Sequence, residues 1–173
     1  MRTIVCDTRE QKWDHVQAGF DRLGVSWIRS KLYAGDYCYL DSMQVCVDRK
    51  KGLAEVYNNL IQQHERFRSE CRRAKAAGIK LVILVEEPSI GSMDDVKNWQ
   101  NPRRKRWEAI ERAMMSGRIK VARTSRQPPV SSFTLETIMR KMAEKYGVSW
   151  EFCAPEQTAK RIIQLLDSAG KQE

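Results

Sequence analysis

The stretch IKLVILVEE, residues 79–87, sets the tightest limit on the fold. It is an unbroken apolar run, far short of the ~20 residues needed to cross a bilayer. It also lacks the alternation of a strand with one wet face. Such a run fits an interior strand covered on both sides, which requires helices on both faces of its sheet. The rest of the pattern supplies them. TIVCDTR (3–9) reads as a strand running out into charge. Residues 11–23 place Trp13, Val16, Phe20 and Leu23 at helical spacing, with Gly24 as the stop. VSWIRSKL (25–32) reads as a strand and GDYCYLDSMQVCVDRKK (35–51) as a hairpin. Over 52–77, Leu53, Val56, Leu60, Phe67, Cys71 and Ala74 mark one long helix or a broken pair, closed by Gly78. Later come a helix over about 134–146 stopped by Gly147, a strand at 148–154, and a helix that Pro155 and Glu156 open. The expected fold is α/β, with a central mixed sheet flanked by helices. It forms a single domain over residues 1–173, carrying a basic, partly helical insertion at about 89–132.

The hairpin carries the chemistry. Residues two apart in a strand share a face, so Asp48 and Lys50 point together and Arg49 points away. A two-residue loop at Asp41-Ser42 would put Asp36 and Asp48 on different faces. A three-residue loop, Asp41-Ser42-Met43, pairs Asp36 with Asp48, and is preferred because it also gathers Tyr37, Tyr39, Val45 and Val47 on one face and Cys38 and Cys46 on the other. Two carboxylates across a strand pair repel unless a cation lies between them. Mg²⁺ or Mn²⁺ suits that position. Lys50 on the same face can hold the attacking water or meet phosphate charge, so the geometry suits metal-assisted phosphodiester hydrolysis.

Other classes are excluded by what is missing. Five cysteines, an odd count with no C-x-x-C, read as buried free thiols in a reducing compartment. His15 and His64 have no ligand-spaced partner, which excludes a zinc site. The N-terminus is charged too early for a signal peptide, and no membrane segment is expected. The net charge of +9 is concentrated: residues 97–123 hold nine Lys/Arg against two Glu, centred on NPRRKRW (101–107). Arg103, Arg104, Lys105 and Arg106 precede an expected helix over 104–115, and are assigned to phosphate contact without sequence preference. Trp107, Ile110, Ala113 and Met114 on that helix form a packing stripe.

DTRE (7–10), GDY (35–37), VDRK (47–50) and ERFRSE (65–70) resemble the nuclease domain of the XPF-type structure-specific endonucleases, a branch of the PD-(D/E)XK superfamily with a restriction-endonuclease-like fold. YGVSWEFCAPEQTAKRIIQLL resembles the last strand and helix of that domain, so the likeness covers roughly 1–88 and 134–167. The resemblance implies that Asp36 and Asp48 are metal ligands, aided by the backbone carbonyl of Arg49, with Lys50 assisting the nucleophilic water. It implies that Asp7 joins the catalytic acids, directly or through a metal-bound water. Arg9, Arg49 and Arg66 become nucleic-acid contacts, with Glu10, Tyr37 and Phe67 in support. Asp48 stands where the family has glutamate, and Ala54 where it has a further aspartate, with Glu55 beside it.

The resemblance thus implies a DNA endonuclease dependent on Mg²⁺ or Mn²⁺, acting on branched, flap or partly single-stranded DNA. A nucleic-acid-binding or structural protein of the same fold without catalysis is the alternative, disfavoured because every implied ligand is intact. The short format suits a phage or bacterial recombination or repair protein working in the cytoplasm. The resemblance also implies a homodimer paired through late helices. Leu135, Ile138, Met139 and Met142, with Ile162, Ile163, Leu165 and Leu166, are more numerous than covering one sheet face needs.

Overall fold

The structure, a computed structural model, describes residues 2–119 and 127–168. Lys120 and Arg123 of the basic stretch lie outside the described residues. The apolar run forms β5 (Lys80–Glu86), and Leu81 through Val85 are all at most 3% exposed. It lies between β4 (Ser42–Lys50) and β6 (Ser149–Cys153), parallel to both. On the other side of β4 come β3 (Tyr37–Tyr39), β1 (Ile4–Asp7) and β2 (Trp27–Ser30), giving the order β2-β1-β3-β4-β5-β6. β3 is antiparallel to both of its neighbours, so the six-stranded sheet is mixed.

Both faces are covered, as an all-apolar interior strand demands. One face carries α1 (Asp14–Arg22) and α6 (Thr158–Asp167), packed on Ile4, Tyr37, Val47 and Leu84. These two helices approach closely: a Cβ on Gly19 of α1 would lie 2.4 Å from the Ala159 Cβ of α6. The opposite face carries α2 (Leu53–Tyr57), α3 (His64–Ala76) and α5 (Ser132–Tyr146) over Cys38, Cys46, Ile83 and Val85. Residues 52–77 are thus a broken pair. A wider π-helical turn, Asn58–Gln62, separates α2 from α3 and turns Asn58, Asn59 and Gln63 toward a cavity at the end of β4. Such turns recur at functional sites.

The stripes offered for a homodimer are used within the chain. Leu135, Met139, Met142, Ile162, Leu165 and Leu166 are buried, and Ile138 and Ile163 pack against them. The apolar surplus inferred from the sequence is therefore core, because α5 and α6 each cover one face of a sheet that needs both. Of the insertion, α4 (Pro102–Met115) begins two residues before the expected start, with Pro102 at its first position. Its N-cap, Asn101, accepts from Arg103 N at 3.0 Å and donates to Val130 O at 3.3 Å. Trp107, Ile110, Ala113 and Met114 are only half-buried.

Candidate active site

The hairpin reaches the expected register by a different turn. Tyr39 pairs with Ser42, leaving Leu40 and Asp41 as a two-residue turn, while Tyr37 pairs with Val47. Between these pairs β3 advances two residues and β4 five, so a bulge in β4 absorbs the difference. The odd shift decides which way the side chains point. Without it Asp36 and Asp48 would lie on opposite faces; with it, Tyr37 and Val47 share one face and Cys38 and Cys46 the other. Gly35 completes the geometry. Its φ is +70°, and an added Cβ would lie 3.0 Å from Val47 O and 3.1 Å from Cys46 Cβ, so only glycine fits without strain. Asp36 N then donates to Val47 O at 2.8 Å, and Asp36 Oδ2 accepts from Arg49 N, also at 2.8 Å.

Asp36, Asp48 and Lys50 converge in a cavity of about 540 Å³ at the carboxyl end of β4. Lys50 Nζ lies 2.8 Å from Asp48 Oδ1 and 2.7 Å from Oδ2. Only the first contact is aligned as a hydrogen bond, so the buried Oδ2 is ion-paired but accepts no hydrogen bond. Desolvation works against the lysine charge, but Asp48 and Asp36 overcome it and raise the pKa above the ordinary lysine value. The Asp36 carboxyl is pushed well above the usual carboxylate range, first by burial and then by the Asp48 charge, with Lys50 only partly opposing them.

That shift has a consequence for stability. A carboxyl whose folded pKa exceeds its unfolded value of about 3.9 binds a proton in the native state that the unfolded chain has released. Its contribution is fully present below the unfolded pKa and is lost as pH rises through the folded one. Asp36→Asn keeps an acceptor for Arg49 N without that loss. In chelator, its melting temperature should exceed the parent's at neutral pH, by about 2–4 °C per kcal/mol relieved, and the gap should close toward pH 4. A neutral-pH melting temperature equal to or below the parent's would refute this reading of Asp36.

The model of the ERCC4 domain family matches residues 6–166. The chain belongs to that family. Among solved structures it is similar to XPF from Aeropyrum pernix, at 23% identity and a TM-score of 0.63 over 98% of this chain. It is also similar to XPF from Aeropyrum pernix in complex with DNA, at 22% identity and a TM-score of 0.62 over 99% of this chain. In both cases the chain spans 66% of the matched protein. At these identities the match establishes the fold alone, an α/β sheet flanked by helices shared with XPF. No curated protein is significantly similar to the chain.

Within this ERCC4 domain two sequence expectations need correction. Asp7 does not line the cavity. Its Oδ1 accepts from Arg9 N and Arg9 Nε at 2.7 and 2.8 Å, and its Oδ2 from Leu32 N and Arg9 Nη2 at 2.7 and 2.8 Å. Burial pushes its pKa up, but the Arg9 and Leu32 hydrogen bonds outweigh this and leave it lowered. With both oxygens accepting from Arg9 and Leu32, Asp7 holds Arg9 and has no direct place in the cavity with Asp36 and Asp48. Arg49 is the second correction. Its side chain is 1% exposed and lies on the α1/α6 face, bound to Glu10 and, at 2.8 Å, to Glu86 Oε2. Arg49 lines the cavity, but strand alternation puts its guanidinium on the face opposite Asp48 and Lys50, buried in ion pairs and without surface for a nucleic-acid contact; the backbone carbonyl expectation is unaffected. Arg104, half-buried at the start of α4, pairs with Glu108 at 3.0 Å and donates to Pro129 O at 3.2 Å.

The remaining rim residues have defined places. Glu10 and the exposed Arg9 and Arg66 line the cavity. Phe67 is buried, with Lys50 Nζ 5.7 Å from its ring centre and Trp150 tilted against it at 6.2 Å. Tyr37 is fully buried, edge-on to Phe20 at 6.0 Å. Arg103 donates to Asn58 Oδ1 at 2.7 Å and lies over the Tyr57 ring, which brings the first turn of α4 to the cavity mouth. Lys105 and Arg106 follow on the same helix, Arg106 exposed and Lys105 beside it.

Sequence reasoning missed Glu86. It joins Arg49 to His15 (2.6 Å) and Thr158 (2.7 Å), and its only signal was a charge ending an apolar run. Glu70 was also missed as a support; its Oε1 accepts from Gly35 N at 3.1 Å.

Proposed function

We propose that the chain is a metal-dependent DNA endonuclease that hydrolyses one phosphodiester bond per site in branched, flap or otherwise structured DNA during recombination or repair. The observation that carries this reading is the convergence of Asp36, Asp48 and Lys50 in a cavity rimmed by exposed arginines, with Asp48 Oδ2 buried and lacking a hydrogen bond. Among the described residues no three His, Cys, Asp or Glu side chains gather as a metal cage. Two carboxylates offering only oxygen still fit Mg²⁺ or Mn²⁺, which accept one or two protein carboxylates and keep several waters. Asp36, Asp48 and the Arg49 carbonyl would hold the ion. When bound, it polarises the scissile phosphate and acidifies a water.

The protein's own residues do the rest. Lys50, kept cationic by its carboxylate neighbours, serves as a fixed donor to the attacking water or a non-bridging oxygen, not as a base. Arg9 and Arg66 hold phosphates flanking the scissile bond, and Arg103, Lys105 and Arg106 extend the positive track over the insertion. That an XPF related in fold has been seen in complex with DNA supports DNA as the ligand. The intact carboxylate pair supports catalysis over a binding-only role.

Flap, splayed-arm, nicked and plain duplex DNA, each incubated with and without Mg²⁺ or Mn²⁺, test the reading. Cleavage of a branched substrate is expected, faster than of plain duplex, and chelator should abolish it. Cutting that continues undiminished in excess chelator would sink the metal-dependent mechanism.

A further inference from the structure

A second groove, of about 440 Å³, adjoins the catalytic cavity, and Arg9 and Arg73 line both. Its remaining wall is Lys31, Leu32 and Tyr33, from the loop that leads from β2 to β3. Among the described residues that line it there are three cations, an aromatic ring and no carboxylate. The cations are placed, not merely present. Arg9 is clamped to Asp7 through two guanidinium nitrogens, yet its side chain stays 56% exposed. Arg73 projects from α3 beside Ser69, and Lys31 is exposed. Tyr33 is 52% exposed, so its ring face is open to the groove that it lines.

Resting on the proposed nuclease function, we infer that this groove binds a single-stranded arm of the DNA whose junction lies in the catalytic cavity. Lys31, Arg9 and Arg73 take its phosphates, and Tyr33 stacks on an unpaired base. An aromatic platform between cations is the recurring solution for unpaired strands, since every base has a π-face. A duplex is a poor occupant, because its bases are already stacked on one another and offer Tyr33 no face. The placement is also suitable. Tyr33 precedes Asp36 by three residues, at most about 11 Å of chain, and the shared Arg9 and Arg73 make the two cavities one path. The groove therefore supplies what the insertion's phosphate contacts do not, a means of telling an armed junction from plain duplex.

Anisotropy titrations in chelator, where nothing is cut, test this with a labelled blunt duplex and with duplexes bearing thymidine arms of increasing length. The parent protein should bind more tightly as the arm lengthens. Tyr33→Ala should lose about tenfold on armed DNA, within the range of one stacked base, and nothing on blunt duplex, while Tyr33→Trp keeps the preference. Lys31→Ala should lower the salt dependence on armed DNA by about 0.7 in log–log slope. Equal affinity of the parent for armed and blunt DNA, or an equal loss by Tyr33→Ala on both, overturns the inference. Circular dichroism verifies that the variants fold. A parent that shows the arm preference but cuts nothing with metal keeps the groove and removes the nuclease reading. A parent that cuts but ignores the arm does the reverse.

Discussion

Asp48→Asn should lower the turnover of branched DNA about 10³-fold, the loss expected when several kcal/mol of metal-supplied charge stabilisation disappears. DNA affinity should hold or tighten slightly, because a negative charge facing phosphate is gone. The fold should survive for a reason specific to this site. Lys50 loses the charge of its 2.7–2.8 Å partner, but the Asp48 charge is also one of the causes that raise the Asp36 pKa. With a neutral neighbour Asp36 ionises more readily and takes over the pairing with Lys50. Arg103→Ala with Arg106→Ala should do the opposite, weakening DNA binding and lowering its salt slope by about 1 for each phosphate no longer neutralised, with turnover at saturating DNA unchanged. Single-turnover kinetics at saturating DNA separate the two. If both variants lost turnover equally with unchanged affinities, the division between chemistry at β4 and binding at α4 would be wrong.

How much of this was legible in the sequence depended on whether the relevant physics was local. The two covered sheet faces followed from one apolar run, because an interior strand of this kind permits no other surroundings. Alternation alone separated Tyr37 and Tyr39 from Cys38, and Val45 and Val47 from Cys46, but which of these sets share a face depended on the register. The turn was not legible. Leu40-Asp41 is no stronger a turn signal than Asp41-Ser42, and a bulge inside β4 leaves no trace in periodicity. The expected juxtaposition of Asp36 and Asp48 therefore rested on a three-residue loop that the structure replaces with a turn and a bulge. The placing of Asp7 outside the cavity was not legible because the Leu32 N–H that takes its second oxygen comes from the β2–β3 loop, 25 residues on. The late helices looked over-supplied with apolar residues only because their burial against the sheet could not be seen from periodicity.

Arg49 is where the local rule was sound and its application incomplete, and it yields the largest stability effect. Alternation already turned Arg49 away from Asp48 and Lys50; what it could not supply was the far side of the sheet. There Glu10 from the segment before α1 and Glu86 from the end of β5 close on the guanidinium, and the Gln11 and Lys12 carbonyls lie at 3.3 Å. Removing one partner of a buried pair strands the other, at a cost of about 3–5 kcal/mol. Arg49→Met should therefore lower the melting temperature by roughly 10 °C or more, with catalytic loss following because Asp48 and Lys50 sit on either side. The cost lies mainly in the stranded carboxylates, so adding Glu10→Gln and Glu86→Gln to Arg49→Met should recover much of the stability without restoring any cation. Thermal denaturation of the single and triple variants checks this. A DNA-contacting arginine would behave oppositely, with an unchanged melting temperature and a weaker, less salt-dependent complex. That outcome would return Arg49 to the DNA side of the sheet.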